Sequence, residues 1–299
     1  MKTIWCHHDA DGVTSAYFTS FHVKDAVRIK ITEEFGDAPE WQKDDIMTDM
    51  KPLNPSIEGL VIDHHPNHPT NRKYMLIWDN VPASLIAYRQ FLDEIPKNER
   101  WKLVIGLVGD GQPELIPPEI FRDFPSLLKR VNTKIYQSYG KWSVNTIPMY
   151  KVLSSYINAL LRLHKYDEAL KLITESKTPF DIYMSNEAVK AKEDLHFEFE
   201  NALKNADVLE FENITVVLFT SDARLTGYIA SVLNSASGKT ILAVNQKNGK
   251  LSIRGDLADY YKELLNIFPF MEIDGHAGYM GGKTTKLGKD FLNTISSIL

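Results

Sequence analysis

Clusters of aspartate and histidine follow apolar stretches at several points in the first 110 residues of the sequence. In the stretch CHHDADG, the residues His7, Asp9 and Asp11 occupy alternate positions. Because residues two apart in an extended segment point to the same side, these three side chains can face one pocket. His8 would then turn away from that pocket, and Gly12 allows a tight turn into a following helix.

The second cluster is Asp63-His64-His65, which follows an apolar run and precedes Pro66. Asp and His are common at turns, so an ordinary strand end is one interpretation of this cluster. The other is a metal or phosphate site, because open α/β sheets bind ligands at the carboxyl ends of their strands. The remaining clusters decide between the two interpretations.

Two further carboxylates, Asp49 and Asp110, also follow apolar runs, and Asp110 lies between two glycines. Mixed Asp and His ligands suit Mn²⁺, or Mg²⁺ with more bound water. The ligand set is too large for one catalytic ion. It fits two ions about 3.5–4 Å apart that share a carboxylate, an arrangement that activates water for displacement at phosphorus. The sequence therefore predicts a dinuclear centre.

The motifs, taken in order, resemble those of the DHH phosphoesterase superfamily. They are His7-x-Asp9-x-Asp11-Gly12, then Asp49, then Asp63-His64-His65, then Gly109-Asp110-Gly111. The later stretch IDGHAGYMGG resembles the glycine-rich motif of the associated DHHA1 domain. That superfamily includes RecJ-type exonucleases, nanoRNases with pAp phosphatase activity, cyclic-dinucleotide phosphodiesterases and exopolyphosphatases. The resemblance covers most of the chain and matches the helical middle least.

This resemblance implies a role for each residue of the first domain. One ion would be held by His7, Asp9 and Asp49, and the other by Asp11, Asp49, His64 and Asp110. Asp49 would bridge the two ions. His65 would contact the scissile phosphate or assist proton transfer, and Asp63 would orient a histidine ligand, as metal-bound imidazoles generally require.

The resemblance also implies a substrate-binding set in the second domain, which comprises Arg254, Gly275, His276, Gly278 and Gly281. A guanidinium at the end of a strand suits bidentate binding of phosphate, and a salt bridge between Arg254 and Asp256 is the alternative.

The chain departs from the family pattern at three points. Asp274 replaces the first glycine of Gly-Gly-His, and the fourth motif continues as Gly111-Gln-Pro-Glu. Tyr279 and Met280 stand where small residues are usual, so we expect a narrower pocket or stacking of Tyr279 on a base.

Alternating strand and helix patterns place these motifs on an α/β fold. Residues 1–185 are predicted to form a mostly parallel-sheet DHH domain, 186–208 a connector helix and 209–299 a smaller α/β DHHA1-like domain. Predicted strands include Lys2–Cys6, Asp45–Thr48, Leu60–Ile62 and Met75–Trp78, with a hairpin at Asn248-Gly249. Ser84 is predicted to cap a helix. The tryptophans are predicted to be core or packing residues rather than base-stacking surfaces: Trp5, Trp41, Trp78, Trp101 and Trp142.

Composition narrows the function. The chain has 299 residues, 43% hydrophobic and 24% charged, with a net charge of −5 and a pI near 6.0. This balance gives no support for a surface that grips long nucleic acid. A single cysteine, Cys6, and an N-terminus unlike a signal peptide fit a cytoplasmic protein with no membrane partner.

The function predicted from these features is a metal-dependent phosphoesterase with two Mn²⁺ or Mg²⁺ ions and a substrate bound between the domains. The first choice is a RecJ-like or nanoRNase-like exonuclease acting on short oligonucleotides or single-stranded nucleic acid. The alternatives are a cyclic-dinucleotide phosphodiesterase or a phosphatase for pAp or another small nucleotide, then a pyrophosphatase or polyphosphatase. A non-catalytic scaffold is the alternative from another class, and a homodimer is left open.

Overall fold

The computed structural model describes residues 1–32, 40–138, 141–256, 271–276, 279–288, 290–291 and 293–294. The chain divides into two compact units, one of residues 1–133 and 146–192, the other of residues 134–145 and 193–299. Among the described helices, none combines the length and apolar character that crossing a bilayer requires.

Five short strands form the sheet of the first unit. They are β1 (Lys2–Cys6), β2 (Val27–Ile31), β3 (Ile46–Thr48), β4 (Leu60–Asp63) and β5 (Met75–Trp78). Their order is β2-β1-β3-β4-β5, and every neighbouring pair is parallel. Four of them were predicted from apolar runs. The fifth, β2, was not predicted; it lies at the edge of the sheet, and none of its residues is fully buried.

The register of the sheet aligns side chains in rows. Trp5, Met47, Val61 and Leu76 are partners across four strands, and they pack with Tyr74 in one hydrophobic cluster. The neighbouring row, two of whose members are the buried Cys6 and Ile62, alternates to the other face. A parallel sheet with both faces covered needs such apolar rows on each side.

The first unit carries its helices mainly after the strands. They are α1 (Ala10–His22), α2 (Ala83–Gln90), α3 (Leu103–Gly109), α4 (Pro118–Asp123), α5 (Tyr150–Arg162), α6 (Tyr166–Glu175) and α7 (Pro179–Tyr183). Short 3₁₀ helices cover Lys97–Lys102, Pro113–Leu115 and Pro125–Leu128. The strands β6 (Arg130–Ser138) and β7 (Lys141–Pro148) pair with each other, and α8 (Asn186–Lys204) contains the point where the units divide.

A buried ion pair holds α1 against the segment that leads into α3. The Lys102 ammonium lies 2.5 Å from a carboxylate oxygen of Glu99 and 3.0 Å from the Tyr17 hydroxyl, which itself donates to Glu99 at 2.8 Å. The Lys102 ammonium also lies 4.2 Å from the centre of the Tyr17 ring. A charge without exposure needs such partners, because burial without them is costly.

The second unit has a six-stranded sheet of mixed direction. Its strands are β8 (Asp207–Glu210), β9 (Ile214–Phe219), β10 (Thr240–Asn245), β11 (Lys250–Arg254), β12 (Met271–His276) and β13 (Tyr279–Thr284). Their order is β12-β13-β11-β10-β9-β8, with only β9 and β10 parallel. Helix α9 (Thr226–Ser237) joins β9 to β10, and the predicted hairpin turns at Gly249, whose φ is 71°. The predicted α/β fold with a separate C-terminal sheet is confirmed.

Candidate metal centre

The aspartate and histidine clusters of the first unit lie at the carboxyl ends of three adjacent strands. His7 follows β1, Asp49 follows β3, and His64 follows β4. Because these strands are parallel neighbours, their carboxyl ends meet at one edge of the sheet. Residues more than 50 positions apart in the sequence therefore converge there, as open α/β sheets bring ligand-binding loops together.

Asp49 stands between the two histidines. One of its carboxylate oxygens lies 3.5 Å from His7 Nδ1, and the other lies 3.2 Å from His64 Nε2. Two groups of donor atoms, one in His7, Asp9 and Asp49 and the other in Asp49, His64 and His65, each fall within 4.8 Å of one another. Asp49 belongs to both groups, and a carboxylate so placed can bridge two cations.

The backbone of Asp49 is in the left-handed region, with φ at 58°. Its N–H donates to the Ile62 carbonyl at 2.8 Å, which ties the end of β3 to β4. The left-handed conformation is unfavourable for residues other than glycine, and among those Asn and Asp tolerate it best. Such strain is concentrated at functional sites, and here it aims the carboxylate between the two histidines.

Asp9 makes two contacts at the start of α1. One oxygen accepts the Gly12 N–H at 2.9 Å and caps the helix, while the other lies 2.8 Å from His7 Nδ1. A side chain at Gly12 would place its Cβ 2.4 Å from the His7 carbonyl oxygen, so the turn requires glycine. One ring nitrogen of His8 lies 3.0 Å from the Thr32 carbonyl oxygen, and the centre of the ring lies 4.0 Å from that of His7.

The carboxylate of Asp11 lies against the N-terminus of α2. It accepts the N–H groups of Ala83 at 2.8 Å and Ser84 at 3.1 Å, and it also accepts the Ser84 hydroxyl. The prediction that Ser84 caps α2 is wrong: Pro82 occupies the N-cap position, and Asp11 satisfies the first N–H groups from 72 residues away. The oxygen that binds Ala83 keeps a lone pair for a further ligand.

Like charges crowd this edge of the sheet. Burial, and next the charges of Asp49 and Asp110, raise the pKa of Asp11 well above its ordinary value. Burial raises the pKa of Asp110 to about 7, with Asp49 adding to the shift and His64 opposing it. The residues therefore fit a site for divalent cations, because added positive charge would relieve this repulsion and the donors are carboxylate oxygens and imidazole nitrogens.

The two histidines carry part of the compensating charge in the metal-free protein. Burial lowers the pKa of His7, but the carboxylates of Asp9 and Asp49 more than offset it and raise the pKa to about 10. Burial likewise lowers the pKa of His64, but the hydrogen bond and charge of Asp49 outweigh it, so this pKa also rises to about 10. Desolvation raises the pKa of Asp9, but the His7 charge and hydrogen bond outweigh it and hold that pKa far below its usual range. A cation and a proton therefore compete for the same imidazole nitrogens.

A chain of hydrogen bonds leads away from His65. The ring of His65 lies 2.7 Å from Asp63, and the other Asp63 oxygen lies 3.0 Å from the His68 ring. The far nitrogen of His68 lies 2.9 Å from the Tyr74 hydroxyl. Despite its burial, the pKa of Asp63 is lowered by these histidine contacts. Asp63 thus contacts the rings of His65 and His68 and the backbone N–H of His64.

Sequence reasoning missed four supporting residues. They are His68 and Tyr74 in the chain above, Gln112, whose amide donates to Asp110 at 2.9 Å, and Asn158 of α5, whose side-chain oxygen accepts the Ala10 N–H at 3.0 Å. For Gln112, the spacing of two residues from Asp110 was a usable signal. Asn158 lies 148 residues from its partner, and nothing local in the sequence marks it.

The residues predicted to bind substrate in the second unit lie on β11, β12 and β13. Arg254 ends β11, and its Nη1 donates to Ser252 Oγ at 2.8 Å and to the carbonyls of Ile253 and Met280 at 2.7 and 2.9 Å. Gly275 lies in β12, His276 ends that strand, and Gly281 lies in β13. Gly278 lies outside the described residues.

Met280 corrects one expectation about this region. Its side chain is 1% exposed and packs in the hydrophobic core of the second unit with Leu251 and Ile253. It therefore fills the core and does not narrow a pocket. The strand register explains this, because Met280 pairs with the core residue Ile253 on β11.

A wide cavity of about 920 Å³ opens at the opposite edge of the first unit's sheet. Residues at or near the amino ends of β1, β3, β4 and β5 line it, among them Lys2, Lys43, Glu58 and Lys73. The donor groups converge at the other edge, so we place the candidate site there. The size of a cavity does not outweigh the convergence of ligand atoms.

The tryptophans differ in exposure. Trp5 and Trp101 are 5% and 0% exposed and lie in the core as predicted, and Trp41 packs partly buried against the hydrophobic cluster around Trp5. The side chain of Trp142 lies outside the described part of the chain. Trp78 is 48% exposed, so it is not a core residue. It lies at the carboxyl end of β5, the end of the sheet at which the ligand cluster lies. Because β5 is the outermost strand, it has a neighbouring strand on one side only.

Comparison with known proteins identifies the fold. No protein-family model and no curated protein sequence matches the chain. Among solved structures, the chain is similar to an exonuclease RecJ bound to manganese, with a TM-score of 0.60, 16% identity and coverage of 99% of this chain and 88% of that one. It is also similar to the DHH domain of a member of a family of ribosomal proteins, with a TM-score of 0.63, 14% identity and coverage of 99% and 85%.

A third match is RecJ from Thermus thermophilus in complex with Mn²⁺, with a TM-score of 0.63, 15% identity and coverage of 99% of this chain. This chain spans about half, 51%, of that longer protein. At these identities the similarities establish the fold, and the chain has the DHH-superfamily fold that its motifs predicted.

Proposed function

We propose that this chain, which has the DHH-superfamily fold, is a metal-dependent phosphoesterase that hydrolyses phosphodiester bonds of short oligonucleotides or single-stranded nucleic acid. The observation that carries this proposal is the position of Asp49 between His7 and His64, with one carboxylate oxygen toward each. The RecJ structures with bound manganese support Mn²⁺ as the ion, with Mg²⁺ as the substitute.

The ligand assignment combines the donor groups with the family resemblance. His7, Asp9 and Asp49, which form the first donor group, would hold one cation. Asp11, Asp49, His64 and Asp110 would hold the other, as the resemblance implies, although the second donor group has His65 beside Asp49 and His64. The lone pair that Asp11 keeps supports its role as a ligand, and the hydrogen bond from Gln112 supports that of Asp110. When bound, two divalent cations activate water for attack on phosphorus and offset the charge of the phosphate oxygens.

His65 acts on the substrate rather than on structure alone. Its ring is oriented by Asp63 through Nδ1, and with both ring nitrogens protonated Nε2 can donate a hydrogen bond or a proton. We assign it contact with the scissile phosphate or protonation of the leaving oxygen. Asp63 is the residue that fixes the direction of the His65 ring.

In the second unit, we assign substrate binding to Arg254, Gly275, His276, Gly278 and Gly281. The support is the resemblance of the glycine-rich stretch to a DHHA1 motif, together with the position of Arg254 at the end of β11. Three acceptors hold one guanidinium nitrogen of Arg254, so the side chain has a defined direction. A fixed guanidinium loses little entropy when it binds a phosphate.

Product analysis with Mn²⁺ tests this proposal. The substrates are short DNA and RNA strands, cyclic dinucleotides, pAp and pyrophosphate. We expect stepwise release of mononucleotides from the linear strands. Asp49→Asn should lower kcat/KM by about 100-fold or more, because each tenfold loss corresponds to only about 1.4 kcal/mol and metal catalysis supplies several.

Asparagine is the suitable replacement because it tolerates the left-handed backbone at residue 49, whereas alanine adds strain. The matched control is Asp123→Asn, which removes an exposed carboxylate that contacts Arg122. Cleavage confined to cyclic dinucleotides, pAp or pyrophosphate would reassign the substrate and keep the phosphoesterase. Turnover that survives Asp49→Asn or a chelator would refute the two-metal mechanism.

A further inference from the structure

Trp78 combines exposure with a fixed position beside the candidate site. The side chain is 48% exposed, although tryptophan is usually largely buried in folded proteins. Its indole N–H donates to the His65 carbonyl oxygen at 2.9 Å. The hydrogen bond anchors one edge of the ring to the backbone of the residue assigned to act on the phosphate. The side chain therefore lies beside the backbone of His65.

The strand register accounts for this position. Trp78 pairs with Asp63 at the carboxyl ends of β5 and β4. Leu76, two residues earlier on the same face, packs partly buried against the hydrophobic cluster of Trp5, Met47 and Val61. Trp78 lies two residues further along β5, at the end of the strand. Packing explains Leu76, but it does not explain a large aromatic ring that remains half exposed at the edge of the ligand cluster.

We propose that the exposed ring of Trp78 stacks on a base of the substrate, so that the substrate is a nucleotide-bearing ester and not an inorganic polyphosphate. This inference rests on the phosphoesterase proposed above. Phosphate oxygens gain little from an uncharged aromatic surface, whereas every nucleobase has a face that can stack. Stacking is tolerant of sequence, so the ring would select for the presence of a base and not for its identity.

The test compares two substrates that differ only in a base. One is a dinucleotide, and the other is the same compound with an abasic sugar in place of one nucleoside. We expect Trp78→Ala to lower the ratio of the two kcat/KM values, base-bearing over abasic, by about tenfold, within the range measured for loss of one stacked base. The loss should appear in KM, because the ring contacts the substrate away from the reacting atoms. Trp78→Phe should retain most of the ratio.

Met75→Ala is the matched control, because Met75 is 69% exposed on the same strand but lies at its amino end. An equal loss on both substrates would overturn the inference and leave Trp78 as a support for His65. No loss on either substrate would overturn it as well. A Trp78→Ala protein whose oligomeric state differs from the wild type, with the ratio unchanged, would instead assign the ring to contact with a second copy of the chain.

A binding measurement separates this inference from the proposed function. Calorimetry measures the affinity for the same dinucleotide of two Mn²⁺-loaded proteins, the wild type and the Trp78→Ala variant. If the wild type hydrolyses no phosphodiester but binds the dinucleotide, and Trp78→Ala weakens binding about tenfold, the stacking role stands and the hydrolase fails. If the wild type hydrolyses both substrates equally well, the hydrolase stands and the stacking role fails. Absence of both binding and turnover would overturn both.

Discussion

The Asp63 carboxylate is enclosed by donors from its own loop. One oxygen lies near the His65 ring and the N–H groups of His64 and His65, and the other lies near the His68 ring. Because a buried charge without partners is costly, this enclosure fixes both histidine rings. The Tyr74 hydroxyl fixes the far side of His68. The direction of the His65 ring therefore depends, through Asp63, on His68 and Tyr74, which lie outside the metal cluster.

His68→Ala tests this dependence. We expect kcat to fall by roughly tenfold, the lower end of what loss of an outer hydrogen-bond partner costs, with KM little changed. The reason is that Asp63 loses one of its two imidazole partners and holds the His65 ring less firmly. Steady-state kinetics with the best substrate and Mn²⁺ measure the effect.

Tyr74→Phe is the graded control, because it removes only the last hydrogen bond of the chain and keeps the ring in the hydrophobic cluster. We expect a smaller fall in kcat than for His68→Ala. A rise in KM at unchanged kcat in both variants would contradict a positioning role for His68.

At the scale of elements, close packing of α1 on α3 holds Asp11 and Asp110 together. A Cβ on Gly109 would lie 2.6 Å from the Ala10 Cβ, and a Cβ on Gly106 would lie 2.3 Å from Ser84 Oγ. No real pair of side chains tolerates such distances. The two glycines of α3 therefore set how near this helix comes to α1 and to the start of α2.

A reciprocal exchange of one methyl group tests this contact. Gly109→Ala should lower the free energy of unfolding by about 1–3 kcal/mol, as overpacking of a tight core does. Adding Ala10→Gly removes the facing methyl group and should restore much of that loss. Urea unfolding of the two single variants and the double variant measures the coupling. Additive destabilisation in the double variant would show that the contact does not set the helix spacing.

Across the whole molecule, the candidate site makes stability depend on pH and on metal. In the metal-free protein the pKa of both His7 and His64 is about 10, against 6.5 for an ordinary histidine. Between these values the folded state binds more protons than the unfolded chain. The free energy of unfolding should therefore be highest below pH 6.5 with respect to these groups, and it should fall as pH rises toward 10.

Mn²⁺ should reverse this dependence, because cation binding requires neutral imidazoles and displaces the two protons. Thermal unfolding from about pH 6.5 to about pH 9 measures how the free energy of unfolding changes with pH. One slope is obtained with a chelator and a second with Mn²⁺. At a free Mn²⁺ concentration about 100 times the dissociation constant, we expect about 2.7 kcal/mol of added stability. In Asp49→Asn both slopes should flatten. A chelator-treated protein whose stability rises over this pH range would contradict the histidine assignment.

The sequence by itself determined the parts of this protein that depend on local spacing. The alternation of His7, Asp9 and Asp11 predicted one extended segment, but α1 begins at Ala10, so Asp11 lies in a helix. Short apolar runs predicted most of the strands. The order of the motifs predicted the fold. The last two inferences succeed because strand periodicity and turn chemistry act over a few residues.

Tertiary structure decided how these residues meet. Asp49 reaches both histidines because β3 lies between β1 and β4, an order that differs from simple sequence neighbours and depends on strand pairing. Strand pairing in the second unit buries Met280, and in the first unit Trp78 stays half exposed, although both are large apolar residues within strands. Burial and proximity depend on register across a sheet, and a shift of one residue would move each side chain to the other face.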